Sequence, residues 1–364
     1  MTSPDLSVGS SPLWFGSVEQ TLKAWLQAQT ERYTHYFWVA DANPYGHWQR
    51  TLPAVHPSTT YVLPVPDSAH MPGAAERLKT LTTCQHLWSA MLDATLDRRA
   101  LVLAFGGGVV GDVGGFCAAT YKRGVDIVQL PTTLLAMTDA ALGGKVGIDF
   151  GGVKNALGAF HSPVAVFIDP TFLSSLPLRE WRSGLAEVVK HAYIGAPALL
   201  ERLRQNPHLL QAPHTASGDE WIAVLRSSVA VKAYIVEQDP YEGGLRALLN
   251  FGHTFGHALE AYFLSLGTPI THGEAIAVGM LCEWEAPTPS DLELLGPLLP
   301  LLPLSAEMWP HLWLLMQQDK KNVGGQVRIA VPGEEPFSLR SLLLTEEEAR
   351  RRWVRCLRWL HAAQ

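Results

Sequence analysis

The chain has 364 residues, 47% of them hydrophobic and 17% charged, with a formal net charge of −6. That length suits about two domains of the usual ~100–200 residues, each able to bury a sizeable core. The acidic balance argues against a nucleic-acid partner, which needs a basic face. Four cysteines, Cys84, Cys117, Cys282 and Cys356, share no CxxC spacing. Neither a disulfide framework nor a cysteine zinc site is expected, and a reducing cytoplasm fits. The opening residues lack the basic start and apolar core of a signal peptide. No apolar run reaches the ~18 residues of a membrane span, so no membrane partner is expected.

In chain order, residues 35–41 (HYFWVAD) read as a strand ending in Asp41, and residues 59–65 as another. Residues 74–96 read as helix, and 100–105 as an apolar strand that stops at three glycines. Residues 125–130 and 164–168 are further strands. Strands alternating with helices indicate a parallel α/β sheet. From about Pro177 the pattern turns helical, over 179–195, 218–238, 246–265 and 274–285. The expected division is 1–178, an α/β domain, and 179–364, a mainly α-helical one. Residues 286–305 are rich in Pro and Leu and predict an irregular connection. The arginine-rich tail reads as a closing helix with a solvated basic face.

Gly106, Gly108 and Gly111 spell GxGxxG directly after a strand. Such glycines let backbone N–H groups approach a pyrophosphate at a helix N-terminus. The ribose-binding acid of that pattern, about 20 residues on, points to Asp126; Asp41, at the end of an earlier strand, is the rival. Thr132 and Thr133 follow another strand and serve equally as cofactor contacts or as an N-cap.

Residues 246–260, RALLNFGHTFGHALE, carry the strongest physical signal. At about 100° per residue, Arg246, Asn250, His253, His257 and Glu260 share one stripe of a helix that is otherwise apolar. Buried polar groups need partners, and buried charges need opposite charges or metals. His272 follows, and Glu187 lies on another helix with Lys190 on the same side. One carboxylate with two or three histidines suits Zn²⁺ with an open position; spacing alone leaves the histidine pair undecided. Lys145, Lys154 beside Asn155, Lys190, Lys232 and the pair Lys320–Lys321 together suggest a pocket for phosphate and carboxylate.

These segments resemble the 3-dehydroquinate synthase family of sugar phosphate cyclases. The resemblance runs from about Asp41 to Lys321. It rests on GGGVVGDVGGFCAATYKRG, QLPTTLLAMTDAALGGKVGID, GGVKNALGAF, SGLAEVVKHA, and GGLRALLNFGHTFGHALEA followed by THGEAIAVGM. It implies a Rossmann-like NAD-binding domain followed by a helical metal- and substrate-binding domain. Glu187, His253 and His272 match the family's metal ligands, for Zn²⁺ or Co²⁺. Asp41, Glu76, Lys79, Gly108, Val109, Asp112, Thr132, Thr133, Lys154 and Ser175 match its NAD contacts, which favours Asp41 over Asp126. Arg123, Asp139, Lys145, Asn155, Lys190, Lys232, Glu242, Arg246, Asn250, His257 and Lys320 match its substrate pocket, and Asp139 also lies near the cofactor. Ser183 stands where some members have Asn, and Leu264–Pro269 falls in a longer insertion than some relatives have.

The resemblance implies a lyase of the shikimate pathway, in the cytoplasm and as a homodimer. Its substrate is 3-deoxy-D-arabino-heptulosonate 7-phosphate. Oxidation at C5 by NAD⁺ acidifies C6–H, phosphate leaves from C7, and the ketone is reduced again. Ring opening and aldol closure then give 3-dehydroquinate. The competing readings are another cyclase such as 2-deoxy-scyllo-inosose synthase, a metal-dependent glycerol or alcohol dehydrogenase, and a non-catalytic phosphosugar sensor.

Overall fold

The computed structural model describes residues 3–64, 74–151, 153–240, 244–300, 303–318, 322 and 326–362. The chain divides into two compact units, Met1–Pro177 with Ser217–Ala233, and Leu178–Ala216 with Tyr234–Gln364. The expected division at 178/179 placed all of the later helices together. Packing instead groups Ser217–Ala233, most of the helix Gly218–Gln238, with the first unit. A helix pattern shows that a face is buried but not against which core, so composition could not reveal this.

The first unit holds a seven-stranded sheet of β1 (Leu6–Val8), β2 (Ser11–Phe15), β3 (His35–Asp41), β4 (Ser58–Leu63), β5 (Ala100–Gly106), β6 (Asp126–Pro131) and β9 (Ala165–Ile168). Its order is β1-β2-β9-β6-β5-β3-β4, parallel except for β1 against β2. The strand β5 is buried at every position, as expected of a sheet covered on both faces. Phe37, Val39, Val102 and Ala104 pack with Leu87 and Met91 of the helix Leu81–Asp93 in one core. The stretch expected as one helix over 74–96 is two. A 3₁₀ turn, Ala74–Leu78, ends at Lys79, and Thr80 caps the helix by accepting from Thr83 N at 3.1 Å.

Two strands invisible to the alternation test are β7 (Lys145–Phe150) and β8 (Val153–Phe160), an antiparallel hairpin. Nearly all of β8 is exposed, so its sequence carries no inward-facing stripe. A second hairpin, β10 (Val327–Pro332) with β11 (Leu339–Leu344), belongs to the other unit.

The second unit is mainly helical, with Leu178–Gly195, His253–Ser265 and His272–Glu283 at its centre. Here the expected continuous helix 246–265 is corrected. Leu245–Asn250 is a 3₁₀ turn, and Gly252, at φ +80°, breaks the chain before His253 starts a new helix. Arg246 and Asn250 therefore do not continue the histidine stripe. The break is stabilised by Glu283, fully buried, whose carboxylate accepts from Gly252 N at 2.7 Å, Thr254 N at 2.9 Å and Phe255 N at 3.2 Å. A buried carboxylate at a helix N-terminus meets unpaired N–H groups and the positive dipole end.

The helix His272–Glu283 is held at both ends. Thr271 and Glu274 form a capping box, and Arg179 donates two 2.8 Å bonds to Glu274. At the other end, Arg352 donates to the carbonyls of Glu283 at 2.6 Å and Trp284 at 3.2 Å, joined there by Arg355. Both arginines belong to the closing helix Glu346–Ala362. The expected solvated face thus holds only in part: Arg352 and Arg355 turn inward to cap carbonyls. No helix among the described residues is long and apolar enough to cross a membrane.

Candidate functional site

Two groups of candidate residues take shape, one in each unit. In the first, the carboxyl ends of β3, β5 and β6 converge. Thr132 N donates to Gly106 O at 2.9 Å. A Cβ on Gly106 would stand 3.0 Å from Asp41 Cβ, and one on Gly107 would stand 3.0 Å from Thr133 Cγ2. Open α/β sheets bind ligands at such carboxyl ends, where strand order reverses. Gly108 and Val109 open the helix Gly108–Thr120 from this point. Asp126 pairs with Leu101 at the start of β5, whereas Gly106 pairs with Pro131 at its end. Five residues at ~3.3 Å each separate the two ends. Asp126 is also engaged by Arg32 at 2.7 Å and Tyr33 at 2.8 Å. Asp41 is the acid beside the glycine loop; it accepts from Asn43 N at 3.2 Å, and burial raises its pKa.

Lys79 is buried, and its ammonium reaches Asp112 at 2.8 Å, Asn155 Oδ1 at 2.5 Å and Glu76 at 3.4 Å. Asn155 takes φ +50° and donates its backbone N–H to Asp149 at 2.8 Å. The partners of this pair respond differently. Burial lowers the Lys79 pKa, but Asp112 and Glu76 outweigh it and raise it overall. Burial pushes Asp112 up to about 6 against the pull of Lys79. Lys232 Nζ binds both the carboxylate and the carbonyl oxygen of Asp139 at 2.6 Å, and Asp139 sits in a π-helical turn, Ala136–Ala140. Ser175 accepts from Trp48 Nε1 at 3.1 Å. Arg123, Lys145 and Lys154 are exposed. Gln129, which the motifs did not single out, is buried and donates to Gly111 O at 3.2 Å, bracing the glycine loop from β6.

In the second unit the candidate metal ligands meet. Atoms of Glu187, His253 and His272 lie within 4.8 Å of one another. Glu187 Oε1 is 3.4 Å from His272 Nε2 and 3.7 Å from His253 Nε2. Glycines make this convergence feasible. A side chain on Gly279 would strike the backbone of Gly252, and one on Gly273 would strike that of Ser183. The three ligand helices therefore approach backbone to backbone. Gly273 N also donates to Ser183 Oγ at 3.1 Å.

Glu187 is fully buried, and neither carboxylate oxygen accepts a well-directed hydrogen bond. Burial alone would raise its pKa. Lys190, paired with it, and the two histidines prevail and hold it well below the usual carboxylate range. Burial and Lys190 together push His253 well down. His272 goes the other way, to about 10: burial lowers it, but hydrogen bonds to Glu187 and Glu260 outweigh this. A buried carboxylate whose oxygens accept no well-directed hydrogen bond, facing two imidazoles, fits a divalent ion. Lys190 also donates to Leu249 O at 2.8 Å.

His257 is exposed, its ring centroid 5.1 Å from that of His253. Asn250 is half-buried, and Arg246 is buried, donating to Pro240 O at 3.0 Å. Glu242 and Lys320, with Lys321, lie outside the described residues. Glu283, which the motifs also left out, ends an otherwise apolar helical stretch, AIAVGMLCE; a lone acid there is the signal that could have found it.

Comparison with known proteins gives a consistent result. The family model described as 3-dehydroquinate synthase N-terminal matches residues 70–183, and the C-terminal model matches 184–294. A 3-dehydroquinate synthase of Prochlorococcus marinus is 49% identical over 212 residues, 58% of this chain and 56% of that protein. The match therefore spans little more than half the length of that relative. The enzyme of the same name from Salinibacter ruber is 42% identical over 289 residues, 76% of this chain and 77% of that protein. Among solved structures, 2-epi-5-epi-valiolone synthase from Streptomyces hygroscopicus, with NAD⁺ and Zn²⁺ bound, has a TM-score of 0.79 at 26% identity, covering 98% of this chain and 99% of that one. A 2-deoxy-scyllo-inosose synthase complexed with carbaglucose-6-phosphate, NAD⁺ and Co²⁺ has a TM-score of 0.78 at 22% identity, covering 94% and 96%, a likeness of fold.

Proposed function

Because the chain belongs to the 3-dehydroquinate synthase family, we propose that it converts 3-deoxy-D-arabino-heptulosonate 7-phosphate to 3-dehydroquinate and phosphate, with NAD and Zn²⁺ or Co²⁺. The observation that carries the reading is the cluster of fully buried Glu187 with half-buried His253 and His272, beside Lys190. When bound, NAD supplies reversible hydride acceptance and the ion supplies Lewis acidity toward a sugar hydroxyl.

The chain's own residues do the rest. Asp41 accepts from the adenosine ribose, and the amides at Gly108 and Val109 face the pyrophosphate. Glu76, Asp112, Thr132, Thr133, Lys154 and Ser175 complete the nucleotide set, and Lys79 holds Glu76 and Asp112 in place. Glu187, His253 and His272 hold the ion. Arg123, Lys145 and Asn155 grip the phosphate that departs. Lys190, Lys232, Arg246 and Asn250 hold the carboxylate and ring oxygens, with Asp139 orienting Lys232; Glu242 and Lys320 belong to the same set. His257 moves the proton of the C5 hydroxyl, a task an imidazole can perform as acid or base. The substrate's own phosphate, carried on the carbon next to C6, takes the C6 proton.

A homodimer is part of the proposal. Among the described residues β8 pairs only with β7, and Phe150, Val153, Leu157 and Phe160 of this hairpin are exposed, the kind of edge that proteins cover by association. A cytoplasmic location accords with four cysteines that are all free thiols.

The test mixes purified protein, heptulosonate phosphate, NAD⁺ and Zn²⁺ or Co²⁺, with and without chelator. Equal yields of phosphate and 3-dehydroquinate, abolished by chelation, are expected. Net NADH would instead assign a dehydrogenase, and turnover of glucose 6-phosphate alone a different cyclase.

A further inference from the structure

We propose that Glu260 is a positioning residue for the metal ligand His272: it accepts the Nδ1 proton and so directs Nε2 to the ion. The inference rests on the metal reading above and deepens it. His272 opens the helix His272–Glu283, and Glu260 lies two turns into His253–Ser265. The imidazole is placed between two carboxylates. Its Nδ1 is 3.3 Å from Glu260 Oε2, and its Nε2 is 3.4 Å from Glu187 Oε1.

The two carboxylates differ in their surroundings. Glu187 is wholly buried and also faces His253, whereas the Glu260 side chain is 16% exposed. An imidazole has one lone pair to give while its other nitrogen carries the proton. The nitrogen turned to Glu187 and His253 is therefore the ligating one, and the proton belongs on the side of Glu260. A carboxylate there fixes the tautomer, fixes the ring plane and makes the ligating nitrogen more basic.

A rival arrangement makes Glu260 a ligand itself, because atoms of His257, Glu260 and His272 also lie within 4.8 Å of one another. An ion there alongside the first would need both nitrogens of His272. An ion there in its place would use neither Glu187 nor His253, although the Nε2 atoms of His272 and His253 face Glu187 Oε1 at 3.4 and 3.7 Å. The orienting role accounts for both carboxylates with one ion.

The experiment measures Zn²⁺ and Co²⁺ affinity of the full-length apoprotein by competition with a chromophoric chelator. It compares the wild type, Glu260→Gln and Glu260→Ala, and records the apoprotein melting temperature and the Co²⁺ visible spectrum. We expect one ion per chain throughout. Affinity should fall about 10–100-fold in Glu260→Ala and less in Glu260→Gln, whose amide oxygen still accepts the Nδ1 proton. Both variants lose the Glu260 charge beside His272, so their apoprotein melting temperatures should match one another, and the Co²⁺ spectrum should shift in Glu260→Ala. Wild-type affinity in Glu260→Ala would overturn the proposal. Two ions in the wild type and one in Glu260→Ala would also overturn it, by making Glu260 a ligand. Equal losses in both variants with a lower apoprotein melting temperature would reduce Glu260 to a structural role. A wild type that binds no ion would instead sink the metal reading itself.

Discussion

The two groups of candidate residues are built in opposite ways. In the helical unit, Glu187, His253 and His272 sit on helices whose backbones touch through Gly252, Gly273 and Gly279. Their ends are tied by Glu283, by the Thr271–Glu274 capping box and by Arg352 and Arg355. In the α/β unit the side chains come from strand ends and a hairpin. Lys79 is held by Asp112 and Asn155, and Arg123, Lys145 and Lys154 are exposed. A cluster holding a small ion needs donors fixed to within about half an ångström. The candidate ligands of one unit are set on close-packed helices, whereas several candidate residues of the other are exposed.

The largest effect that would break this contrast is His253→Ala. Bound ion and activity should disappear together, with the rate falling by about a thousandfold or more for the loss of several kcal/mol. Metal retained at full occupancy would remove His253 from the ligand set. Gly279→Ala comes next, because its methyl has no space against the Gly252 carbonyl. A loss of about 1–3 kcal/mol or more is expected in denaturant unfolding, together with weaker metal binding. Gly46→Ala, with open space around the new methyl, should show neither and serves as the control. Lys145→Ala should raise KM and lower kcat, with kcat/KM down about 10–100-fold for one charged hydrogen bond, while stability stays put. Unchanged kinetics would take Lys145 out of the phosphate grip.

The smallest effect is a pH dependence at Asp112. Its folded pKa, about 6, lies above the ordinary 3.8. Ionisation therefore opposes folding. The associated stability is fully present below about 4 and is lost as pH rises through about 6. Unfolding of the NAD-free protein should show this decline, and Asp112→Asn should flatten it. A wild-type profile in that variant would show that Lys79 neutralises the carboxylate despite its burial.

Much of this was legible in the sequence, and the failures have physical causes. Short apolar runs with polar or glycine boundaries read directly as strands, so β3, β5 and β6 and their carboxyl ends were legible. The hairpin β7–β8 was missed because β8 buries neither face. The false continuity of 246–265 came from apolar residues on both sides of Gly252, since the helical period carries through a break that only a positive φ reveals. Between Asp41 and Asp126 spacing alone pointed to Asp126; the resemblance favoured Asp41, and the strand register sets Asp126 at the opposite end of β5 from Gly106. The capping arginines of the last helix looked like solvent charge because their carbonyl partners lie far away in the chain.

The most direct test of the proposed chemistry is the fate of the hydrogen at C5. Heptulosonate phosphate deuterated at C5 would be turned over with NAD⁺ and Zn²⁺, and product and nucleotide pools analysed by mass spectrometry. The account predicts that the deuterium is recovered in 3-dehydroquinate, with one phosphate released per product and no net NADH. Deuterium accumulating in free NADH, with no carbocycle formed, would contradict it.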